Sequence, residues 1–437
     1  MNIAYIFLLL LSFEASSCLR RGKAVLRRAS LASSVGVVPP ASGESVIASP
    51  TRSLVPIRTE HGFLRFPPLE DAAMIELYEA ALIELRDTEY CLFEAMTAGT
   101  HTKIADGFVE AVMDHIWNEE RNEPSRRLIP RNTFLWILAI ASEAFSKETS
   151  CEEIRGGSER EVVIIGDTHG QIEDVFHILL DESICGMPSD KKAVIMNGDL
   201  VDRGEFGCEI VALLSALKSS ETQIYAIRGN HESWRMTARF GFQEEVMAKY
   251  PGDTEVLFMC QRLFQSLPLS AFVSVGGNPY VFISHGGIGL NTHDMTLAEI
   301  AQIDRFREPW EEQVAGLDEN DVAREPDLST VPLSELLWSD PVGGLEEEWA
   351  PNRSRGLPGG FLFGEGACNH FLKKNSLSYM VRSHQPPSLG FKGYWAGKCY
   401  TVFSASNYCG GNNQGAVLRL FKGGSNSVDP TFVQYCT

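Results

Sequence analysis

Four short strings hold most of the reactive side chains in this chain: GDTHG at Gly166–Gly170, GDLVDRG at Gly198–Gly204, RGNHE at Arg228–Glu232 and SHGG at Ser284–Gly287. They supply Asp167, His169, Asp199, Asn230 and His285, a carboxylate, imidazole and amide set with no thiolate. A sixth donor, His384, comes later in YMVRSHQ. One divalent ion takes about four to six ligands, so a set this large invites a second. Asp167 and His169 suit one ion, Asn230 and His285 the other. Asp199, between them in motif order, is the candidate bridge. Manganese, iron and zinc all accept such ligands.

Two ions roughly 3.5–4 Å apart can share a water, draw its pKa from about 15.7 toward about 7, and clamp phosphoryl oxygens during in-line attack. The remaining motif residues suit the same chemistry. His231, immediately after Asn230, would protonate a leaving alkoxide. Asp202, three residues past Asp199, would fix that imidazole's tautomer, and Arg203 offers a planar fork for two phosphate oxygens. Each residue alone has a plainer origin: Gly-Asp is usually a turn, and a lone histidine after a strand is usually structural. Four such strings in one chain, each behind its own apolar run, outweigh it.

The apolar runs are strand-like: VVII before Asp167, AVIM before Asp199, IYAI before Asn230, YVFI before His285. Asp167 to Asp199 is 32 residues and Asp199 to Asn230 is 31, each about one strand–helix–strand unit. The pattern predicts an α/β fold with the donors at the carboxyl ends of strands, where ligands gather in such folds.

With those strings in hand, the chain resembles the phosphoprotein phosphatases, the serine/threonine-specific branch of the calcineurin-like metallophosphoesterases. GFQEEVMAKY at Gly241–Tyr250, LLWSDP at Leu336–Pro341, RSHQ at Arg382–Gln385 and SASNYCG at Ser404–Gly410 extend the likeness over about residues 130–437. GFQEEVMAKY and RSHQ are nearest the type 5 branch. The resemblance implies a central β-sandwich of mixed sheets flanked by helices. It implies a dinuclear centre held by Asp167, His169, Asp199, Asn230, His285 and His384, with His231 as general acid and Asp202 as its partner. Arg203, Asn230 and Tyr408 match substrate-binding positions. A second phosphate-binding arginine falls in NRSRGLPGGFLFG, with Arg355 the choice and Arg353 the alternative. Ser406 stands where the family commonly has proline, a change in loop stiffness more than in chemistry.

The expected reaction is hydrolysis of phosphoserine and phosphothreonine in proteins by direct attack of a dimetal-activated hydroxide. Two other readings stay open: a phosphoesterase for a small substrate such as a dinucleoside polyphosphate, and an inactive scaffold of the same fold. Phosphoprotein substrates and regulatory subunits are the expected partners. Nucleic acid is not, because residues 1–65 carry +5 and the rest of the chain, with a formal total of −19, is about −24.

Residues 1–17 contain a nine-residue apolar run, Ile3–Leu11, of signal-sequence length and too short to span a bilayer. Residues 18–68 turn basic and then Pro/Ser-rich, which suggests transit and linker segments. Secretory entry or organelle import, in tandem as for a complex plastid, is expected ahead of a cytoplasmic location, with no stable membrane span in the mature chain. Residues 69–128 read as a helical extension with helices over Glu70–Met96 and Phe108–Trp117, and 129–437 as the catalytic domain, opened by a helix at Arg131–Ser146. No tetratricopeptide repeat is visible. Ten cysteines fall without a CxxC, and Cys409 is expected to be a buried structural thiol. Glu311–Leu328 reads as an acidic surface loop.

Overall fold

The computed structural model describes residues 56–58, 64–86, 90–104, 107–117, 128–157, 160–220, 222–309, 328–345, 348–355, 360–421 and 429–437. The signal-like and transit-like segments, nearly all of the acidic loop and residues 356–359 of the arginine-bearing stretch lie outside the described residues.

Two mixed sheets form the centre. In chain order their strands are β1 (Cys151–Arg155), β2 (Glu161–Ile165), β3 (Lys192–Met196), β4 (Ile224–Ala226), β5 (Ser270–Val275), β6 (Asn278–Ser284), β7 (Tyr379–Arg382), β8 (Phe391–Tyr394), β9 (Cys399–Val402), β10 (Gly415–Leu420) and β11 (Thr431–Tyr435). One sheet runs β11-β10-β2-β3-β4 and the other β8-β9-β7-β6-β5-β1. Within them β2-β3-β4 and β6-β7-β9 are parallel sets.

Side-chain alternation explains why the sheets stack. Val162 and Ile164 of β2 join Ala193, Ile195, Val281, Ile283, Val381 and Leu418 in one buried cluster, which therefore contains residues from both sheets. Val163 and Ile165 point the other way, into a cluster built largely of helices. Phe282 and Met380 do the same on the far side of the second sheet. Runs such as VVII are apolar throughout because both faces are covered.

Helices α1 (Asp71–Arg86), α2 (Tyr90–Thr97), α3 (Phe108–Trp117) and α4 (Arg131–Ser146) follow the predicted spacing, with the first predicted segment divided in two. They are not a separate cap. Leu77, Leu85, Phe108 and Trp136 belong to the same core as Val163 and Met196 of the sheet and Leu213 and Phe264 of the helices behind it. Trp136 is fully buried; Tyr78 and Phe108 pack on its ring at 5.3 and 5.6 Å, and its indole N–H donates to the His101 carbonyl at 3.2 Å. The end of the expected linker in residues 18–68 makes contacts of its own: Ile57–Arg58 pairs with Leu64–Arg65, and Arg262 donates to the Pro67 carbonyl. Among the described residues no helix is long and apolar enough to cross a membrane.

Because this layer completes the core, its loss should unfold the chain rather than release its activity. Trp136→Ala should lower the free energy of unfolding by about 3–5 kcal/mol. Urea denaturation measures this, and an unchanged midpoint would mark the helical layer as peripheral.

Candidate active site

The loops leaving the carboxyl ends of the two parallel strand sets converge. Asp167 and His169 follow β2, Asp199 follows β3, Asn230 and His231 follow β4, His285 follows β6, and His384 follows β7. The sheets meet there, since the Ser404 N–H donates to the Asp167 carbonyl at 3.1 Å and Asp167 bridges to Phe403. The turns are tight enough to require unusual backbone. His169, Asp199, Asp202, Arg203 and His384 all have φ between 44° and 74°, the left-handed region that costs a side-chain-bearing residue energy. Gly198, at φ 82°, lies so close to Gly229 that a Cβ would meet its backbone at 2.6 Å and His285 Nδ1 at 2.8 Å.

The candidate ligand atoms face one another. His285 Nδ1 donates to the Asn197 carbonyl at 2.8 Å, which leaves Nε2 to present a lone pair once its own proton is lost. That lone pair faces Asn230 Oδ1 at 3.0 Å, His384 Nδ1 at 3.2 Å and Asp199 Oδ1 at 3.2 Å. His169 Nδ1 donates to the Val201 carbonyl at 3.0 Å, so its Nε2 likewise faces Asp199 and Asp167 carboxylate oxygens, at 3.6 and 3.7 Å. Asp199, His285 and His384 form one group with mutually close ligand atoms; His169, Asp199 and His231 form another. Asp199 belongs to both, as a bridging carboxylate must. A cage of lone pairs and carboxylates fits two cations, and all six expected ligands contribute to it.

The electrostatics agree. Burial alone would depress His285, but Asp199 and Asp167 outweigh it and hold the imidazole up at about 9, so without metal a proton takes the cation's place. At His169 burial, helped by the neighbouring His231, outweighs Asp199 and pushes the imidazole down to about 4.

His231 Nδ1 lies 2.6 Å from Asp202 Oδ2, and the Phe242 N–H donates to the other Asp202 oxygen at 2.8 Å. Burial pushes Asp202 up to about 7 and His231 down to about 4; the shared cause is the cost of charge in a dry site. Arg203 is exposed, its guanidinium 4.0 Å above the Phe240 ring. Arg355 is half-buried, donating to both Asp340 oxygens at 3.0 and 3.3 Å and to the His384 carbonyl at 3.3 Å. Arg353 sits exposed on the same turn and makes no such contact. Tyr408 stacks on His169 with centroids 4.9 Å apart.

A family profile described as calcineurin-like phosphoesterase matches residues 161–388. The chain belongs to that family. Among curated relatives of this phosphoesterase, a serine/threonine-protein phosphatase PP2A-like PPG1 of Candida albicans is 34% identical over 272 residues, 62% of this chain and 58% of the relative. Serine/threonine-protein phosphatase 5 of Homo sapiens is 31% identical over 338 residues, 76% of this chain and 59% of the relative. The chain thus spans under two thirds of these relatives' own length. A solved protein serine/threonine phosphatase from Saccharomyces cerevisiae, with similarity to human phosphatase PP5, superposes with a TM-score of 0.61 at 27% identity, covering 76% of this chain and 96% of that one.

Several supports of the phosphoesterase site do not stand out in the sequence. Glu232 accepts from the N–H groups of Asp199, Leu200 and Gly229 at 2.8–2.9 Å, binding two loops of expected ligands together. Asn197 bridges the Ser284 carbonyl and Ser383 hydroxyl at 3.1 and 2.8 Å, next to His285 and His384. Asp340 aims Arg355 and is itself held by Arg382 at 2.8 Å. Glu232 and Asp340 lie inside RGNHE and LLWSDP, where an acid that a strand-end turn must bury was the available signal. Cys409 departs from expectation in being exposed, on the loop of Tyr408.

Ser406 has a role that proline cannot fill. Its N–H donates to Asp174 Oδ2 at 2.9 Å and its hydroxyl to Asp174 Oδ1 at 3.0 Å, while Gln171 donates to its carbonyl at 2.7 Å. A proline has no N–H to give. Asp174 therefore anchors the loop that carries Tyr408.

Asp174→Ala should weaken inhibition by free phosphate about tenfold while leaving bound metal unchanged; inhibition kinetics with metal analysis check both. Since a proton competes for His285, apparent metal affinity should rise with pH, by about tenfold per unit, and flatten near pH 9. Metal titration of chelated protein across that range measures it.

Proposed function

We propose that this phosphoesterase is a protein serine/threonine phosphatase that hydrolyses phosphoserine and phosphothreonine esters without a covalent intermediate. The observation that carries the reading is His231, hydrogen-bonded to a buried carboxylate and facing the shared Asp199, because an alkoxide leaving group needs a proton donor. The likeness to named serine/threonine phosphatases over most of this chain supports the substrate class.

Asp167, His169, Asp199, Asn230, His285 and His384 would hold two ions drawn from manganese, iron or zinc. When bound, that pair supplies Lewis-acid activation of the attacking water and neutralises charge on the phosphoryl oxygens. Arg203 and Arg355 hold the phosphate from two sides, Arg355 in a direction fixed by Asp340. Both guanidiniums also help depress His231, after the larger effect of burial. A phosphate dianion bound between them offsets those charges and raises the proton affinity of His231 as substrate arrives. Asp202 holds the Nδ1 side of the ring, so the Nε2 proton is the one delivered to the departing seryl or threonyl oxygen.

His231→Ala should lower kcat on a phosphoserine peptide by roughly a hundredfold or more, and far less on p-nitrophenyl phosphate, whose phenolate departs without help. Raising the pH should remove the proton of the His231–Asp202 pair, so peptide turnover falls on the alkaline side while aryl phosphate turnover does not. Equal losses on both substrates would contradict general acid catalysis. Turnover of a diadenosine polyphosphate with none of a phosphopeptide would overturn the substrate class.

A further inference from the structure

The helix α5 (Trp234–Phe240) ends on a ring that two cations share. Phe240 packs against His231 with centroids 5.1 Å apart, and Arg203 covers the ring at 4.0 Å. Arg239 lies over the same ring, its guanidinium carbon 5.3 Å from the centroid. Arg203 is the arginine already given to phosphate. Arg239 is exposed, and among the described residues no carboxylate pairs with it.

We propose that Arg239 is a specificity residue that favours substrates carrying an acidic side chain close to the phosphorylated residue. The proposal rests on the protein phosphatase reading. A general acid must sit on the leaving-group side of phosphorus, and in a phosphoprotein the leaving group is the peptide itself. His231 therefore marks where the peptide runs, and Phe240 places Arg239 beside that path. An extended peptide advances about 3.3 Å per residue, so a carboxylate one to three residues from the phosphoserine falls within reach of the guanidinium. Arg203 and Arg239, like charges on one ring, leave a field that a phosphate and a carboxylate together neutralise better than a phosphate alone. The stem of Arg239 also covers Phe240, a packing role that any long side chain would serve. Charge, not length, separates the two roles.

The test uses the full chain and matched phosphoserine peptides that differ only in Asp or Ala at the three positions on either side. The measured quantity is the ratio of kcat/KM between acidic and neutral peptides, with p-nitrophenyl phosphate as the reference substrate. The ratio should be about three- to fivefold in favour of acid at low salt and shrink as salt rises, the scale of an exposed ion pair. Arg239→Lys should keep it, Arg239→Met should bring it to one, and Arg239→Glu should invert it. A ratio of one in the unaltered enzyme, or the same ratio in Arg239→Glu, would overturn the proposal. Hydrolysis of p-nitrophenyl phosphate with no peptide hydrolysed would instead overturn the protein-substrate reading beneath it.

Discussion

Asp199 and His285 meet at 3.2 Å in a buried cage, and nearly everything else in the catalytic half of the chain serves that meeting. A carboxylate, an amide oxygen and imidazole lone pairs crowded together repel one another unless a cation lies among them. The fold therefore has to hold the electron-rich atoms close against their own repulsion. It does so with backbone: left-handed turns at His169, Asp199 and His384, and the Gly198–Gly229 approach that admits no side chain. Glu232 closes the arrangement by accepting three N–H groups from two loops. The strain stored in those turns is sustained by two stacked sheets, since each metal-bearing loop is rooted in a strand buried on both faces.

Much of this was legible in the sequence because metal chemistry restricts residue type severely. Asp, His and Asn behind apolar runs at 32- and 31-residue intervals point to metal ligation, and the same runs announce strands of a parallel sheet. Residues that aim others are harder to read. Asp340 and Asn197 are not among the expected ligands, and nothing in their type separates them from ordinary turn residues until Arg355 and His285 are seen bonded to them. The choice between Arg355 and Arg353 was open for the same reason. Which arginine turns inward depends on the Asp340 carboxylate, 15 residues away in sequence.

The helical layer shows a different limit. Its helices follow directly from periodicity, with Phe108–Trp117 and Arg131–Ser146 beginning and ending where the apolar pattern does. Periodicity does not say what an apolar face covers. A cap with its own small core and a layer completing a larger one have the same pattern along the chain. Trp136, enclosed by Tyr78 and Phe108 within the core that also takes Val163 of β2, decides for the second. The same applies to the Pro/Ser-rich stretch, where composition suggests a linker but Arg262 fixes Pro67 against the body.

Ser406 and Arg239 belong to different parts of the proposed reaction. Ser406 gives up the fixed backbone of proline and recovers stiffness through Asp174, so the loop of Tyr408 is held by hydrogen bonds rather than by a ring. Arg239 lies outside the loops of the expected ligands, over the Phe240 ring, and on the proposed reading it acts on the peptide rather than on the cage. A cage built to hold two cations leaves little room for a change of donor, because each expected ligand faces the others at close range. The surface one ring further out carries no such constraint, so selectivity among substrates can be altered there without disturbing the chemistry.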